Sequence, residues 1–296
     1  MKHGTTFLAL FILLVTSYTA HAQIKIVTTT GMIADLVHNI GGNHVDVTPL
    51  MNSGIDPHLY KATQGDLRKI KNADIVIYNG LYLEGKMQDI FDKLAKKKPV
   101  YAVAENLAKN QLIEDSEHAD PHIWFDVSLW QLAANRVLEI LIKHDSSNAK
   151  SYETNAQNYI NLLKAKHQWV QAQIKLIPKN QRVLITAHDA FGYLGKAYGI
   201  EVMGLQGIST AAEFGLQDIK RLKDIIVERE IKAVFIESSV SPRFIESLVA
   251  GVKAQGHELK IGGELFSDAM GPKGSGADNY LGMVEHNINT IVGSLK

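Results

Sequence analysis

Cysteine is absent from all 296 residues. Disulfides are thereby excluded, as are thiolate metal sites and an acyl anchor on a cysteine at a cleavage site. Imidazole and carboxylate remain as the strong metal ligands available. Net charge is lacking as well, since Lys plus Arg and Asp plus Glu both number 31. So balanced a chain has no electrostatic claim on nucleic acid or on an anionic membrane surface. Beyond the N-terminus no apolar run is long enough to span a bilayer. No segment is of low complexity, and no His-Glu-x-x-His helix, the common zinc-peptidase signature, occurs.

The N-terminus carries an export pattern. Lys2 gives a positive start, Phe7 to Val15 is an unbroken apolar run, and Ala20-His21-Ala22 has the form of a cleavage site. The run is about half the length a membrane-spanning helix requires. Residues 1–22 therefore read as a cleaved signal peptide, with Gln23 as the mature start. Losing Lys2 leaves 30 positive against 31 negative side chains, a net of −1. The expectation is a soluble periplasmic protein without a lipid anchor, large enough for one big domain or two modest ones.

Apolar, β-branched runs alternate with helical spacing along the rest. Ile24 to Thr29, Val45 to Leu50, Ala73 to Tyr78 and Pro99 to Ala104 read as strands. Helical patterns cover Met32 to Ile40, Leu67 to Asn72, Met87 to Ala95 and Asp126 to Lys143. The second half repeats the style, with strands Arg182 to Ala187 and Lys232 to Glu237. Its helices fall at Ala190 to Tyr198, Leu216 to Glu228, Pro242 to Ala254 and from about Asp278 to the end, the last expected to pack the second lobe. Such alternation predicts an α/β protein of two lobes, each a mainly parallel sheet flanked by helices. Ser147 to Ile177 contains neither Gly nor Pro, and Tyr152, Tyr159, Leu162, Leu163, Trp169, Val170 and Ile174 recur at helical spacing. A flexible linker has the opposite composition. One long rigid helix over 147–177 thus joins lobes at 23–146 and 178–296, with Pro178 to stop it, and argues against wide hinge closure.

Two tripeptides are identical: Asp56-Pro57-His58 and Asp120-Pro121-His122. Proline fixes its own φ and restricts its predecessor, so each presents a histidine from a pre-set loop, and a pre-set ligand loses less entropy on binding. One copy would be no more than a turn. Two copies beside strand–loop–helix junctions point to a site. His188 follows a predicted strand directly, where parallel α/β sheets gather their ligands. Asp268 lies in Phe266 to Gly271, a loop before the final helix. His38, His44, His144, His167, His257 and His286 fall in helices or polar loops and read as structural or solvated.

These stretches resemble the substrate-binding proteins of zinc- and manganese-type ABC importers, the TroA-like and ZnuA-like family. The likeness spans the mature chain. It rests on Gly54 to His58, Asn79-Gly80 with Glu84, Asp120 to Trp124, Thr186 to Phe191, Gly207 to Thr210, Lys232 to Glu237 and Leu265 to Gly271. It implies two α/β lobes joined by a long helix, and as metal ligands His58, His122, His188 and Asp268. Two departures stand out. After Ala212-Glu213 relatives often continue Pro-Ser, whereas Phe214-Gly215 follows here. The histidine-rich acidic loop of many zinc-specific relatives is reduced to Glu114 to His118, which bears on zinc specificity and on any metal-gathering role.

The resemblance implies that a divalent ion is captured between the lobes and delivered to the membrane permease of an ABC importer. Three imidazoles and one carboxylate suit Zn²⁺, which nitrogen-rich sites also favour over Mn²⁺. His188, where manganese or iron carriers have glutamate, tilts the choice to Zn²⁺ over Mn²⁺ or Fe²⁺. The expected protein is a monomer, not an enzyme, without nucleic-acid partners and without insertion of the mature chain into a membrane. The competing classes are a zinc-dependent hydrolase, with an open coordination position and Glu213 or Glu237 as base, and an adhesin-like metal protein.

Overall fold

The computed structural model describes residues 23–114, 118–211 and 215–296. The proposed signal segment, the interior of the Glu114 to His118 loop and Ala212 to Phe214 lie outside the described residues. Among those described, no helix is long and apolar enough to cross a membrane.

The β-branched runs of the first half pair as one parallel sheet. It comprises β1 (Ile24–Thr28), β2 (Val45–Pro49), β3 (Ile75–Tyr78) and β4 (Val100–Ala102) in the order β2-β1-β3-β4. Ile26 stands opposite both Val47 and Ile75, and the flanked strands are buried along most of their length, as parallel sheets covered by helices require. Helices α1 (Gly31–Gly41), α2 (Gln64–Asn72) and α3 (Gln88–Ala95) are the connections. Thr63 caps α2: its hydroxyl accepts from the Asp66 N–H at 3.2 Å while the Asp66 carboxylate accepts from the Thr63 N–H at 2.9 Å. This reciprocal box satisfies two of the free N–H groups at the helix start.

α4 (Val127–His144), capped by Asp126, leads into α5 (Ala149–Ile174), a helix of 26 residues. That is about 39 Å by the usual helical rise. Its buried residues Tyr152, Tyr159, Leu163, Val170 and Ile174 stand seven or four apart on one face, whereas Leu162 is half exposed on the other.

The second half holds two parallel pairs. β5 (Val183–His188) pairs with β6 (Glu201–Gln206), and β7 (Ala233–Glu237) with β8 (Lys260–Leu265); β5 and β7 run side by side. Helices α6 (Gly192–Tyr198), α7 (Leu216–Glu228), α8 (Arg243–Lys253) and α9 (Tyr280–Leu295) connect and cover them. β6 and β8 were not apparent as strands from sequence, because Gly204, Gly262 and Gly263 interrupt their apolar runs. At α7 the Gly215 N–H donates to the Asp218 carboxylate at 3.0 Å, so the start of this helix is capped without the Pro-Ser that relatives carry.

One apolar cluster runs through both halves. Ile26, Leu36 and Trp130 of the first, Leu163 and Val170 of α5, and Phe191, Phe235 and Leu265 of the second all belong to it. The final helix packs against β8 of the second lobe, as expected. α9 also contacts α1 and α5, its Tyr280 ring stacks on Trp130 at 5.2 Å, and the Tyr280 hydroxyl donates to the Trp124 carbonyl at 2.7 Å. A tyrosine this large at the first turn reaches past its own sheet. Burying each such side chain stabilises the joint by about 1.5–3 kcal/mol, so the two halves are fused behind the region where their strands end.

Candidate metal centre

His58, His122, His188 and Asp268 all lie beyond the carboxyl ends of parallel strands. His58 sits in the loop after β2. Gly54, at φ +76°, turns the chain there, and the Asp56 carboxylate accepts the His58 N–H at 2.8 Å. The second Asp-Pro-His tripeptide repeats that turn, the His122 N–H reaching Asp120 Oδ1 at 2.9 Å. The two aspartates then diverge. Asp120 Oδ1 also approaches His122 Nδ1 at 2.7 Å, fixing the ring, whereas Asp56 turns its second oxygen to the Thr210 hydroxyl at 2.6 Å.

His188 is the last residue of β5, and its N–H donates to Glu237 Oε1, at the end of β7, at 2.8 Å. The other oxygen, Oε2, stands 2.6 Å from His188 Nδ1. Gly204 on β6 permits this corner: a Cβ there would lie 2.4 Å from the Asp189 nitrogen. The Asp268 loop is pinned on both sides. Asn287 exchanges two hydrogen bonds with the Phe266 backbone at 2.9 and 2.7 Å, and Trp124 Nε1 donates to the Ser267 carbonyl at 3.0 Å.

The four side chains converge. One ligand-type atom from each lies within 4.8 Å of all the others. His58 Nε2 is 3.2 Å from His122 Nε2 and 3.8 Å from Asp268 Oδ2. His122 Nε2 is 3.3 Å from Asp268 Oδ1, and His188 Nε2 is 3.3 Å from Asp268 Oδ2. His58 is 5% exposed, Asp268 1%, and the other two not at all. Even so, both Asp268 oxygens, both His188 ring nitrogens and Glu237 Oε2 lack an aligned hydrogen bond. Buried polar atoms seldom go unpaired. Both Asp268 oxygens and His188 Nε2 face a common centre, where an ion would satisfy them, while His188 Nδ1 and Glu237 Oε2 stand against each other at 2.6 Å.

The electrostatics divide the histidines. At His58 burial dominates and lowers the pKa to about 3, with Asp268 offsetting it only in part. At His122 burial pulls the same way, but the Asp120 and Asp268 carboxylates outweigh it and push the pKa up to about 9. At His188 burial is likewise outweighed, by Glu237 and Asp268, and the pKa rises well above the ordinary imidazole value. Burial works against ionisation of Asp268, yet His188 and His122 hold it well below the usual carboxylate range.

Asp120 and Glu237 as ring partners were not singled out in the sequence, although each had a signal: an acid two residues before a histidine, and an acid ending a buried strand. Behind them the buried Glu84 carboxylate accepts from the Thr29 hydroxyl at 2.6 Å and the Asn79 N–H at 2.8 Å. Asn79 in turn donates to the Pro121 carbonyl at 2.9 Å, bracing the His122 loop. The remaining histidines are occupied elsewhere: His144 with the Tyr101 hydroxyl, His167 with Tyr198, and His257 and His286 with backbone carbonyls. His118 stacks on Tyr82 at 4.3 Å.

The profile of the family described as zinc-uptake complex component A, periplasmic (ZnuA), matches residues 26–294. The manganese-binding lipoprotein MntA of Bacillus subtilis (strain 168) is 48% identical over 279 residues, covering 94% of this chain and 91% of that relative. The zinc-binding protein TroA of Treponema pallidum (strain Nichols) is 46% identical over 272 residues, covering 91% and 88% respectively. The solved structure of the periplasmic zinc-binding protein TroA from Treponema pallidum superposes with a TM-score of 0.91 at 45% identity. It covers 93% of this chain and 99% of that one.

Proposed function

Because this chain belongs to the ZnuA family, the metal-binding substrate-binding proteins of ABC importers, we propose that it captures one divalent transition-metal ion through His58, His122, His188 and Asp268. The ion is its cargo, held between lobes at 23–146 and 178–296 that the 147–177 helix joins, and handed to the importer's membrane permease. Four donors, three from separate loops and one from the end of β5, buried and within 4.8 Å of one another, carry this reading. A tetrahedral zinc ion with ligands at about 2.0–2.1 Å requires donor–donor edges of about 3.3 Å. The His58–His122, His188–Asp268 and His58–Asp268 spacings of 3.2, 3.3 and 3.8 Å are on that scale, and the 3.3 Å from His122 is to the other Asp268 oxygen.

Zinc is the first choice and manganese the second. The two relatives above are named for different metals at almost equal identity, so the donor set decides. Three imidazoles with one carboxylate favour zinc by the Irving–Williams order. Metal analysis of protein purified without chelator or nickel, followed by competition between Zn²⁺ and Mn²⁺, tests this. Zinc retained against a large excess of manganese supports the assignment; displacement by equimolar manganese overturns it.

The protein is a carrier rather than an enzyme. Four protein donors close a tetrahedral ion, and of the two candidate bases Glu237 is engaged by His188, while Glu213 lies outside the described residues. Several relatives are named lipoproteins, but this chain has no cysteine to acylate. We read residues 1–22 as a cleaved signal and the mature chain as periplasmic.

A further inference from the structure

Three of the four site residues are braced from behind, and the fourth is held differently. His122 has Asp120 at Nδ1, and its loop receives hydrogen bonds from the Tyr193 hydroxyl to the Asp120 carbonyl at 2.8 Å and from Asn79 to the Pro121 carbonyl at 2.9 Å. His188 ends a buried strand with both Glu237 oxygens beside it. The Asp268 loop is tied to Trp124 and Asn287. His58 has no such ring partner: among the described residues no carboxylate approaches its Nδ1. It stands on a loop whose neighbours Ser53, Gly54, Ile55 and Leu59 are exposed.

Among the described residues, one short side-chain hydrogen bond ties this loop to the opposite half, Thr210 Oγ1 to Asp56 Oδ2 at 2.6 Å. Through its other oxygen the same Asp56 holds the His58 N–H at 2.8 Å. We propose that the Asp56–Thr210 bridge is the latch of the site: it keeps His58 seated across the cleft and sets the rate at which the ion leaves, His58 being the first ligand to go. This rests on the reading of the four residues as ion ligands.

The reason is where each bond lies. Asp120–His122 is contained in the first half and Glu237–His188 in the second, so each pair travels with its own half. The bonds of Trp124, Tyr193 and Tyr280 also join the halves, but they end on the Ser267, Asp120 and Trp124 carbonyls and not on the loop that carries His58. A parting of the halves that breaks the Asp56–Thr210 bridge therefore withdraws the loop that seats His58. Thr210 is a positioning residue, acting through Asp56 without touching the ion.

The test is zinc release from the loaded full-length mature protein into excess chromogenic chelator, followed by stopped flow, for wild type, Thr210→Val and Thr210→Ser. Loss of a hydrogen bond to a carboxylate should speed release by roughly ten-fold or more in Thr210→Val, with association changed by less than about two-fold, while Thr210→Ser stays within about two-fold of wild type. Release from Thr210→Val within about two-fold of wild type, or Thr210→Ser as fast as Thr210→Val, overturns the latch. Equilibrium zinc titration of wild type and His122→Ala separates the two levels. Stoichiometric binding lost in His122→Ala, beside a silent Thr210→Val, rejects the latch alone. Failure of wild type to bind zinc rejects the site and the latch with it.

Discussion

Loading the site with zinc should expel about two protons near neutral pH, and the count follows from which imidazoles are charged beforehand. Three unperturbed imidazoles, each with a pKa of about 6.5, would be about one-tenth protonated at about pH 7.5 and would release about 0.3 protons in total. The site is different. His122, at about 9, is almost fully protonated at that pH; His58, at about 3, is neutral; Glu237 and Asp268 raise His188 well above the ordinary value and so favour its charged form. Each charged ring must lose a proton to offer Nε2 to the ion, so His122 and His188 give one each. Apparent affinity then rises with pH through the neutral range and levels off once His122 titrates near about 9. Isothermal titration in buffers of different protonation enthalpy counts the protons directly. About two per ion supports the carboxylate–imidazole pairing described here. A value near 0.3 would refute it, because the rings would then be neutral before the ion arrives.

Further outcomes follow from the same geometry. Asp268→Asn keeps the shape but removes the charge facing three imidazoles, and should weaken zinc binding by roughly 100-fold or more in a competitive titration; unchanged affinity would place the ion elsewhere. Glu237→Gln leaves the four donors intact but frees the His188 ring, and should cost about 10–100-fold, with one zinc per chain still bound at saturation. Zinc at about 1,000 times its Kd adds about 4 kcal/mol to stability. That corresponds to a rise of roughly 10 °C in melting temperature for a chain of this size, reversed by chelator. Chelator-stripped protein should show the opposite trend with pH. The pKa of His122 is raised on folding from about 6.5 to about 9, so its contribution is fully present below about pH 6.5 and disappears as pH climbs through about 9. Urea unfolding of the stripped protein at the two ends of that window should show lower stability at the alkaline end, while the loaded protein gains.

Much of this was legible in the chain because the informative features are local. The Ser147 to Ile177 stretch announces its helix by lacking Gly and Pro, and α5 occupies Ala149–Ile174 of it. The Asp-Pro-His tripeptides present both histidines because proline pre-sets each loop whatever surrounds it. The two copies nonetheless do different work. Asp120 turns back on its own histidine ring, and Asp56 reaches across to Thr210. That divergence depends on which element packs opposite, which no tripeptide encodes. Strands β6 and β8 escaped notice for a related reason: with glycines at 204, 262 and 263 and charged ends at Glu201 and Lys260, they owe their extended form to pairing with β5 and β7 rather than to local propensity. Glu237 was visible as the acid ending a buried strand, but its place beside His188 exists only once β5 and β7 lie together.

The most direct measurement is anomalous diffraction at the zinc edge from crystals loaded with one equivalent of zinc. The account predicts a single peak about 2.0–2.1 Å from Nε2 of His58, His122 and His188 and from a carboxylate oxygen of Asp268. A peak at any other group of residues, or none above noise, would contradict it.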